Sequence, residues 1–391
     1  DVYKRQKLRT YFPNLIKTRI ILVNYLKYLL SLSIMSEETE LIVQSSSELA
    51  KQLDSTSEEQ GIFPRKNLEL LAQQGFMGIF IPKPYGMGLP ARVFVDVVKN
   101  IAKASPSTAW IYVTHVASTF AFNTFASQAL KEKYMNDLVN GKLLIGAAGT
   151  EAVGGAINAV LNTTAELKGD KYVINGSKSF ITGVGELDLF MIITKISGQQ
   201  KPGVILVEKG QTKVGQKFVS LGMKGVSWGE LVLENAEASK DNLIVDDFVK
   251  FLGVLGRVGM LGVSAISLGL AEGAFEEALN HVKNRKLGQN TLSSFEGVQI
   301  YLAEMSAKIE AMRQLVYYAA DQFNSQNPLP AVLKARIFNT ENALDVIDKA
   351  LRITGGHGFS NALKIEKYYR DARAPMLHFQ TLEISKKVLG G

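Results

Sequence analysis

Residues 163–182 read TTAELKGDKYVINGSKSFIT, and their pattern decides how the rest of the chain is interpreted. Apolar and polar residues alternate around two pairs, Gly169-Asp170 and Asn175-Gly176. Alternation with a period of two is typical of a half-buried β-strand, and glycine-containing pairs of this kind favour hairpin turns. The stretch therefore predicts short antiparallel strands, with turns at both pairs, in the middle of the chain.

The regions on either side of these strands have a helical period instead. Apolar residues recur at three- and four-residue spacing over 35–142, and again in long runs over 248–391. Between them, over 143–247, the runs LDLFMIITKI, GVILVEK and WGELVLENA indicate further strands. We therefore predict a multidomain α+β protein with an all-α N-terminal domain, a middle antiparallel β domain and an α-helical C-terminal domain. Most α/β proteins interleave their helices and strands, so this order is informative.

The first 34 residues differ from the rest in charge. The chain has a net charge of +7, but residues 1–34 hold seven basic residues and a single acid, Asp1, so the remainder is nearly neutral. We interpret 1–34 as a non-native leader or read-through, because DVYKRQ resembles a translated transposase end and the first methionine is Met35. The nearly neutral body predicts no nucleic-acid partner.

Composition also narrows the chemistry. The chain has no cysteine, which excludes disulfides and thiolate ligands and fits a cytoplasmic protein. No uninterrupted apolar run is long enough to span a bilayer, so we expect no membrane partner. The histidines are scattered without metal-ligand spacing, and therefore we predict no metal site; they are His115, His281, His357 and His378.

Several short motifs, in order, resemble the acyl-CoA dehydrogenase family. GTEAVGG (149–155) is similar to that family's flavin segment T-E-P-x-x-G-S-D, and GSKSFIT (176–182) to its following strand. ITGGHGF (353–359) and KYYRDAR (367–373) resemble its C-terminal cofactor loop and helix start. The resemblance implies a helical N-terminal domain, a middle antiparallel β-barrel domain and a C-terminal four-helix bundle. It also implies an FAD-dependent oxidoreductase that acts on the CH–CH bond of an acyl thioester, with FMN as a possible alternative cofactor.

The resemblance further assigns cofactor-binding residues. Thr150 and Thr182 would hydrogen-bond the flavin ring, the second near N5, where such bonds tune the redox potential. Phe180 would lie against the ring, and Arg285 would bind the dinucleotide phosphates. The full set is Gly149, Thr150, Phe180, Ile181, Thr182, Arg285, Gly355, Gly356 and Thr381. Each also has an ordinary structural explanation, such as a strand threonine, a helix-ending glycine pair or an arginine at a helix C-terminus.

The largest departure from the family concerns the catalytic base. Removal of an α-proton requires a carboxylate whose pKa is raised by an apolar pocket. Most of the family carries this glutamate a fixed distance after R-D-A, a position that is Phe379 here, and some members carry it on the first long C-terminal helix, near Gly259. Two nearby groups are candidates for a catalytic role instead, His378 and Glu383.

Three functions therefore stay open at this point. The first is an acyl-CoA dehydrogenase-like oxidoreductase. The second is a flavin-dependent monooxygenase of the same fold that uses His378, because RDARAPMLHFQ also resembles that branch. The third is a non-catalytic relative that retains the fold. For the first two we expect an acyl-CoA or other small-molecule substrate, an electron-transfer flavoprotein or oxygen as electron acceptor, and a homotetramer or homodimer.

Overall fold

The computed structural model describes residues 37–154, 161–377, 379 and 381–391, and it confirms the predicted order of helices, sheet and helices. The segment Ser46–Gly391 forms one compact unit. The predicted leader, 1–34, lies outside the described residues. The domain limits at 142 and 247 stay a prediction.

The first part of the chain is helical. Its central helix α5 is buried along most of its length and begins with Pro106, whose missing N–H and fixed φ suit a first helical turn. The helices of this part are α1 (Glu37–Ala50), α2 (Thr56–Glu59), α3 (Arg65–Gln73), α4 (Ala91–Ala104), α5 (Pro106–Phe125) and α6 (Gln128–Val139).

The middle part is an eight-stranded sheet with the order β6-β7-β3-β2-β4-β5-β8, in which β1 also pairs with β4. The expectation of a purely antiparallel domain is corrected, because β4 pairs in parallel with both β1 and β2. Parallel strands that pair with each other need a long connecting segment. The segment that connects β1 to β4 contains the β2–β3 hairpin. The strands are β1 (Ile145–Ala148), β2 (Thr164–Lys168), β3 (Lys171–Ile181), β4 (Leu189–Ile196), β5 (Gly203–Glu208), β6 (Lys213–Lys217), β7 (Gly229–Ser239) and β8 (Leu243–Val245).

One of the two predicted turns is confirmed and the other is wrong. The chain reverses at Gly169-Asp170 between the antiparallel strands β2 and β3. Asn175-Gly176 instead lies inside β3, where the pairing with β7 shifts register. Gly176 has a φ of +146°, and a side chain there would overlap Thr163. The glycine therefore absorbs an irregularity in a continuous strand rather than ending it.

The C-terminal part contains three long helices and several short elements. Helix α7 is long and apolar enough to cross a membrane, but 72% of its most apolar window is buried inside the fold, as in a core helix. Glycines on α7 allow close packing, since a side chain at Gly262 would overlap Val113 of α5. The elements are α7 (Phe248–Asn284), β9 (Lys286–Leu287), β10 (Asn290–Thr291), α8 (Glu296–Asp321), α9 (Leu329–Thr354), α10 (Gly356–Phe359), α11 (Ile365–Asp371) and α12 (Leu382–Gly390).

A buried ion pair holds the segment that follows β1. Glu151 and Lys178 are almost fully buried and their charged atoms lie 2.7 Å apart. Glu151 also accepts hydrogen bonds from the backbone N–H groups of Asn162 and Thr163 and from the Thr163 hydroxyl. Burial alone raises the pKa of Glu151, but the bond from Lys178 and those from the backbone outweigh it and hold the pKa at about 2.

A second buried cluster of charges joins the three parts of the fold. Lys367 of α11 lies 2.5 Å from Asp371, 3.5 Å from Glu58 and 3.6 Å from Glu59 of α2. Asp371 also accepts a hydrogen bond from the backbone N–H of Met223, which precedes β7. The ammonium group of Lys367 therefore balances carboxylates of α2 and α11. The α11 carboxylate, Asp371, also holds the backbone of the middle part at Met223.

We predict that replacing this ammonium group destabilises the fold strongly. Lys367→Met should lower the free energy of unfolding by about 3–5 kcal/mol, because it leaves buried carboxylates without a counter-charge. The control is Lys171→Met, which removes an exposed pair with Glu237 and should cost less than about 1 kcal/mol. Urea denaturation measures both, and equal small losses would contradict the prediction.

The depressed pKa of Glu151 predicts a pH dependence. Because its folded pKa of about 2 lies below the ordinary 4.5, the ionised carboxylate stabilises the fold fully above pH 4.5, and this contribution is lost as the pH falls toward 2. The difference in unfolding free energy between the wild type and Glu151→Gln should therefore shrink between pH 6 and the lowest pH at which both proteins stay folded. A difference that does not change with pH would show that the carboxylate titrates normally.

Candidate active site

The two threonines predicted to contact a flavin ring follow two strands of the sheet. Thr150 lies just after β1, and Thr182 comes directly after β3. The backbone N–H of Ser179 donates to the carbonyl of Thr150 at 2.8 Å, and the Glu151–Lys178 pair joins the same two segments. Both threonine side chains are half-buried. The structure therefore brings these two segments together.

An irregularity in β3 presents the predicted aromatic residue. The pairing of β3 with β7 shifts register between Lys178 and Ile181, and Phe180 within this bulge has a φ of +55°. Positive φ is uncommon for a bulky residue, and bulges re-aim side chains next to active sites. The Phe180 ring is 53% exposed and stacks on Phe218, with 4.5 Å between ring centroids.

Two other predicted residues of this region are less open to a ligand. Ile181 is buried in the core and pairs with Gly229, so its side chain does not face the site. Gly149 is half-buried in the loop after β1. Contacts from these two positions to a cofactor would therefore come from the backbone.

An aromatic cluster from three parts of the chain adjoins Thr182. The indole Nε1 of Trp110, on α5, donates to Thr182 Oγ1 at 3.3 Å. The rings of Trp228 and Phe379 each lie with their centroids 6.0 Å from that of Trp110. Trp110 and Trp228 are almost fully buried. Neither tryptophan was predicted from the sequence as a site residue: Trp110 lies outside the motifs that carry the family resemblance, and Trp228 lies in the run WGELVLENA, which indicated only a strand.

The two positions at or near which the resemblance predicts the family's base, Phe379 and Gly259, face each other. The Phe379 ring packs directly on Gly259 of α7, so that any side chain at Gly259 would overlap it. Phe379 adopts a φ of +60°, which is unusual for a bulky residue. Neither position carries a carboxylate. A glycine at 259 is the sterically required partner of a phenylalanine at 379.

The candidates for a catalytic role fare differently. His378 lies outside the described residues, so its role and the monooxygenase alternative stay predictions. Glu383 is exposed in the first turn of α12, near Lys386, which does not match the apolar pocket that a carboxylate base needs. Thr381, proposed from the resemblance as a cofactor residue, caps the same helix by accepting a hydrogen bond from the backbone N–H of Ile384.

The predicted dinucleotide residues gather at another place. Arg285 is exposed at the C-terminal end of α7, and Gly355, with a φ of +57°, ends α9. The His281 ring, one turn before Arg285, lies 5.1 Å from that of His357, which follows the glycine pair. A Cβ atom at either Gly355 or Gly356 would meet nothing within 4 Å, so the backbone there is open to a ligand.

In this second region, Arg285 carries a positive charge beside two histidine rings. Burial, followed by the neighbouring His357 and Arg285, lowers the pKa of His281 below its usual value. A cationic group beside open glycine backbone suits the phosphates of a dinucleotide. The half-buried threonines after β1 and β3 fit the ring of FAD and these residues fit its dinucleotide part, which by the resemblance belongs to the cofactor of a neighbouring subunit.

Comparisons with known proteins agree along most of the chain. Models of the acyl-CoA dehydrogenase N-terminal, middle and C-terminal domains match residues 36–142, 146–236 and 257–388. The chain is 32% identical to a short-chain specific acyl-CoA dehydrogenase of Clostridium acetobutylicum, covering 91% of this chain and 98% of that protein. It is 31% identical to a 3-(aryl)acrylate reductase of Clostridium sporogenes, covering 87% and 92%.

A further relative and a solved structure extend these matches. The CarC subunit of the caffeyl-CoA reductase–Etf complex of Acetobacterium woodii is 29% identical, covering 88% of this chain and 93% of that protein. The structure of butyryl-CoA dehydrogenase from Megasphaera elsdenii superposes with a TM-score of 0.87 at 25% identity, covering 92% and 98%. The predicted family and the predicted class of enzyme, an oxidoreductase, are thereby confirmed. The chain belongs to the acyl-CoA dehydrogenase family.

Proposed function

We propose that this protein is a flavin-dependent oxidoreductase that acts on the CH–CH bond of an acyl thioester, in the direction of reduction. The observation that carries the proposal is the packing of Phe379 on Gly259, which leaves both family positions for the base without a carboxylate. Dehydrogenation depends on a base that removes an α-proton. Reduction of a conjugated double bond instead ends with proton delivery to a basic α-carbon, for which water is a sufficient donor.

Two relatives support this direction. The proteins named 3-(aryl)acrylate reductase and caffeyl-CoA reductase–Etf complex subunit CarC carry reductive names. We therefore propose an α,β-unsaturated acyl thioester as the substrate. By analogy with CarC, we propose an electron-transfer flavoprotein as the electron donor. A cytoplasmic location, and a homotetramer or homodimer, stay parts of the proposal.

We propose FAD as the cofactor, and the chain's residues divide its binding between two regions. Bound FAD, once reduced by the electron partner, would supply the hydride that the β-carbon accepts. Thr150, Phe180 and Thr182 would position the ring, while Arg285 and the Gly355-Gly356 backbone would bind the dinucleotide. The ring of Phe379 would give the substrate an apolar surface beside the flavin.

The first test is spectroscopic. Residues 35–391, purified and loaded with FAD, should show a visible flavin absorption band. Anaerobic mixing of the chemically reduced protein with a 2-enoyl-CoA should restore that band, whereas mixing of the oxidised protein with the saturated acyl-CoA should bleach it far more slowly. A colourless protein that takes up neither FAD nor FMN would remove the proposed function. Fast bleaching by the saturated compound would remove the proposed direction.

A gain of function should follow from restoring the carboxylate. Phe379→Glu places an acid in apolar surroundings, where desolvation raises its pKa toward that of an effective base. We expect bleaching by a saturated acyl-CoA to become faster by on the order of 100-fold, the usual contribution of a general base. Stopped-flow absorbance measures this rate.

The matched control for this change is Phe379→Gln. It has nearly the same shape as the glutamate variant but accepts no proton, so it should leave the slow bleaching unchanged. Equal acceleration in both variants would mean that relief of crowding, rather than basicity, limits the reaction. No acceleration in either, with flavin binding intact, would place the α-carbon away from position 379.

A further inference from the structure

The hydrogen bond between Trp110 and Thr182 constrains the hydroxyl beside the proposed flavin site. An indole N–H donates and never accepts, so Thr182 Oγ1 must be the acceptor in this 3.3 Å contact. A threonine hydroxyl has one hydrogen to donate and otherwise rotates to suit its surroundings. With Trp110 in place, that hydrogen is directed away from the indole and stays available to another acceptor.

The indole itself is held firmly. Trp110 is 1% exposed, and the ring of Trp228 meets it edge-on, with an interplanar angle of 77°. Such edge-to-face contacts between aromatic rings are favourable and directional. Phe379 contacts the same indole from the C-terminal part of the chain. The donor to Thr182 is therefore part of the packed interior rather than a side chain that rotates freely.

The backbone around Thr182 is fixed through the same region. The N–H of Gly183 donates to the carbonyl of Val226 at 3.0 Å, and that of Val184 to Ser227 at 3.1 Å. The segment that contains Val226 and Trp228 therefore holds the backbone after Thr182, while Trp228 supports the indole that holds its hydroxyl. The segment 226–228 therefore supports both the donor, Trp110, and the acceptor, Thr182.

We propose that Trp110 is a positioning residue that orients the Thr182 hydroxyl as a hydrogen-bond donor to the flavin ring. The proposal rests on the proposed function, since it concerns the same cofactor site. Trp110 acts through Thr182 and needs no contact with the reacting atoms. Because hydrogen bonds to the ring tune its electronics, loss of the indole donor should alter flavin binding and reduction potential through the hydroxyl alone.

A double-mutant cycle tests this dependence. Thr182→Val and Trp110→Phe should each weaken FAD binding by about 3- to 10-fold, the effect of one hydrogen bond, and should shift the reduction potential of bound flavin in the same direction. In the Thr182→Val background, Trp110→Phe should add less than about twofold, because the hydroxyl it orients is already absent. Thr182→Ser keeps the hydroxyl, so in the Thr182→Ser background Trp110→Phe should again weaken FAD binding by its full amount. Additive effects would overturn the proposal in favour of simple packing.

A second measurement uses the protein without flavin. The chain has two tryptophans, so a ¹⁵N-tryptophan spectrum contains two indole resonances, and Trp228→Phe identifies the one that belongs to Trp110. Thr182→Val should shift the Trp110 resonance and speed its exchange with solvent, whereas Thr182→Ser should change it little. An unmoved resonance would overturn the proposal even if Trp110→Phe failed to fold. Failure of the proposed function would appear differently, as absence of flavin binding in every variant including the wild type.

Discussion

The buried ammonium group of Lys367 links the three parts of the fold. Lys367 lies between carboxylates from α2 and α11, and Asp371 simultaneously accepts the backbone N–H of Met223. Burial of any one of these charges alone is costly, because a low-dielectric interior stabilises only a complete set of partners. Burial raises the pKa of Glu58, which the positive charge of Lys367 opposes. Lys367 and Asp371 pair within α11, but the full set of contacts forms only when the N-terminal helices, the middle segment and this helix assemble together.

This constraint extends to the candidate active site. The segment fixed by Asp371 continues to Trp228, which packs on Trp110, and Phe379 closes the cluster from the other end of the chain. The site is thus built from three distant stretches of sequence around the end of β3. Its side chains are aromatic at Phe379, the position where the resemblance predicts a carboxylate. In the proposed function, the family architecture is retained while the surroundings of the substrate's α-carbon are apolar.

The sequence predicted the helix–sheet–helix order because periodicity is a local property, and it predicted the strand-end threonines because they lie within contiguous motifs. It also located Phe379 and Gly259 separately, by counting from neighbouring motifs. The contact between these two residues was not predictable, since more than a hundred positions separate them and only the fold joins them. The parallel pairing of β4 and the bulge at Gly176 were missed for a similar reason: a strand's partners and register depend on tertiary packing, while its turn residues look alike in a bulge and in a hairpin.

The central proposal is that this site holds a flavin, and that neither Phe379 nor Gly259 supplies a carboxylate to remove an α-proton. The most direct test is to incubate the oxidised, FAD-loaded protein with a saturated acyl-CoA in D₂O and to follow deuterium at the α-carbon by mass spectrometry. The account predicts incorporation no faster than in a protein-free control. Rapid, protein-dependent incorporation would show that a base acts at this site, and it would contradict the account.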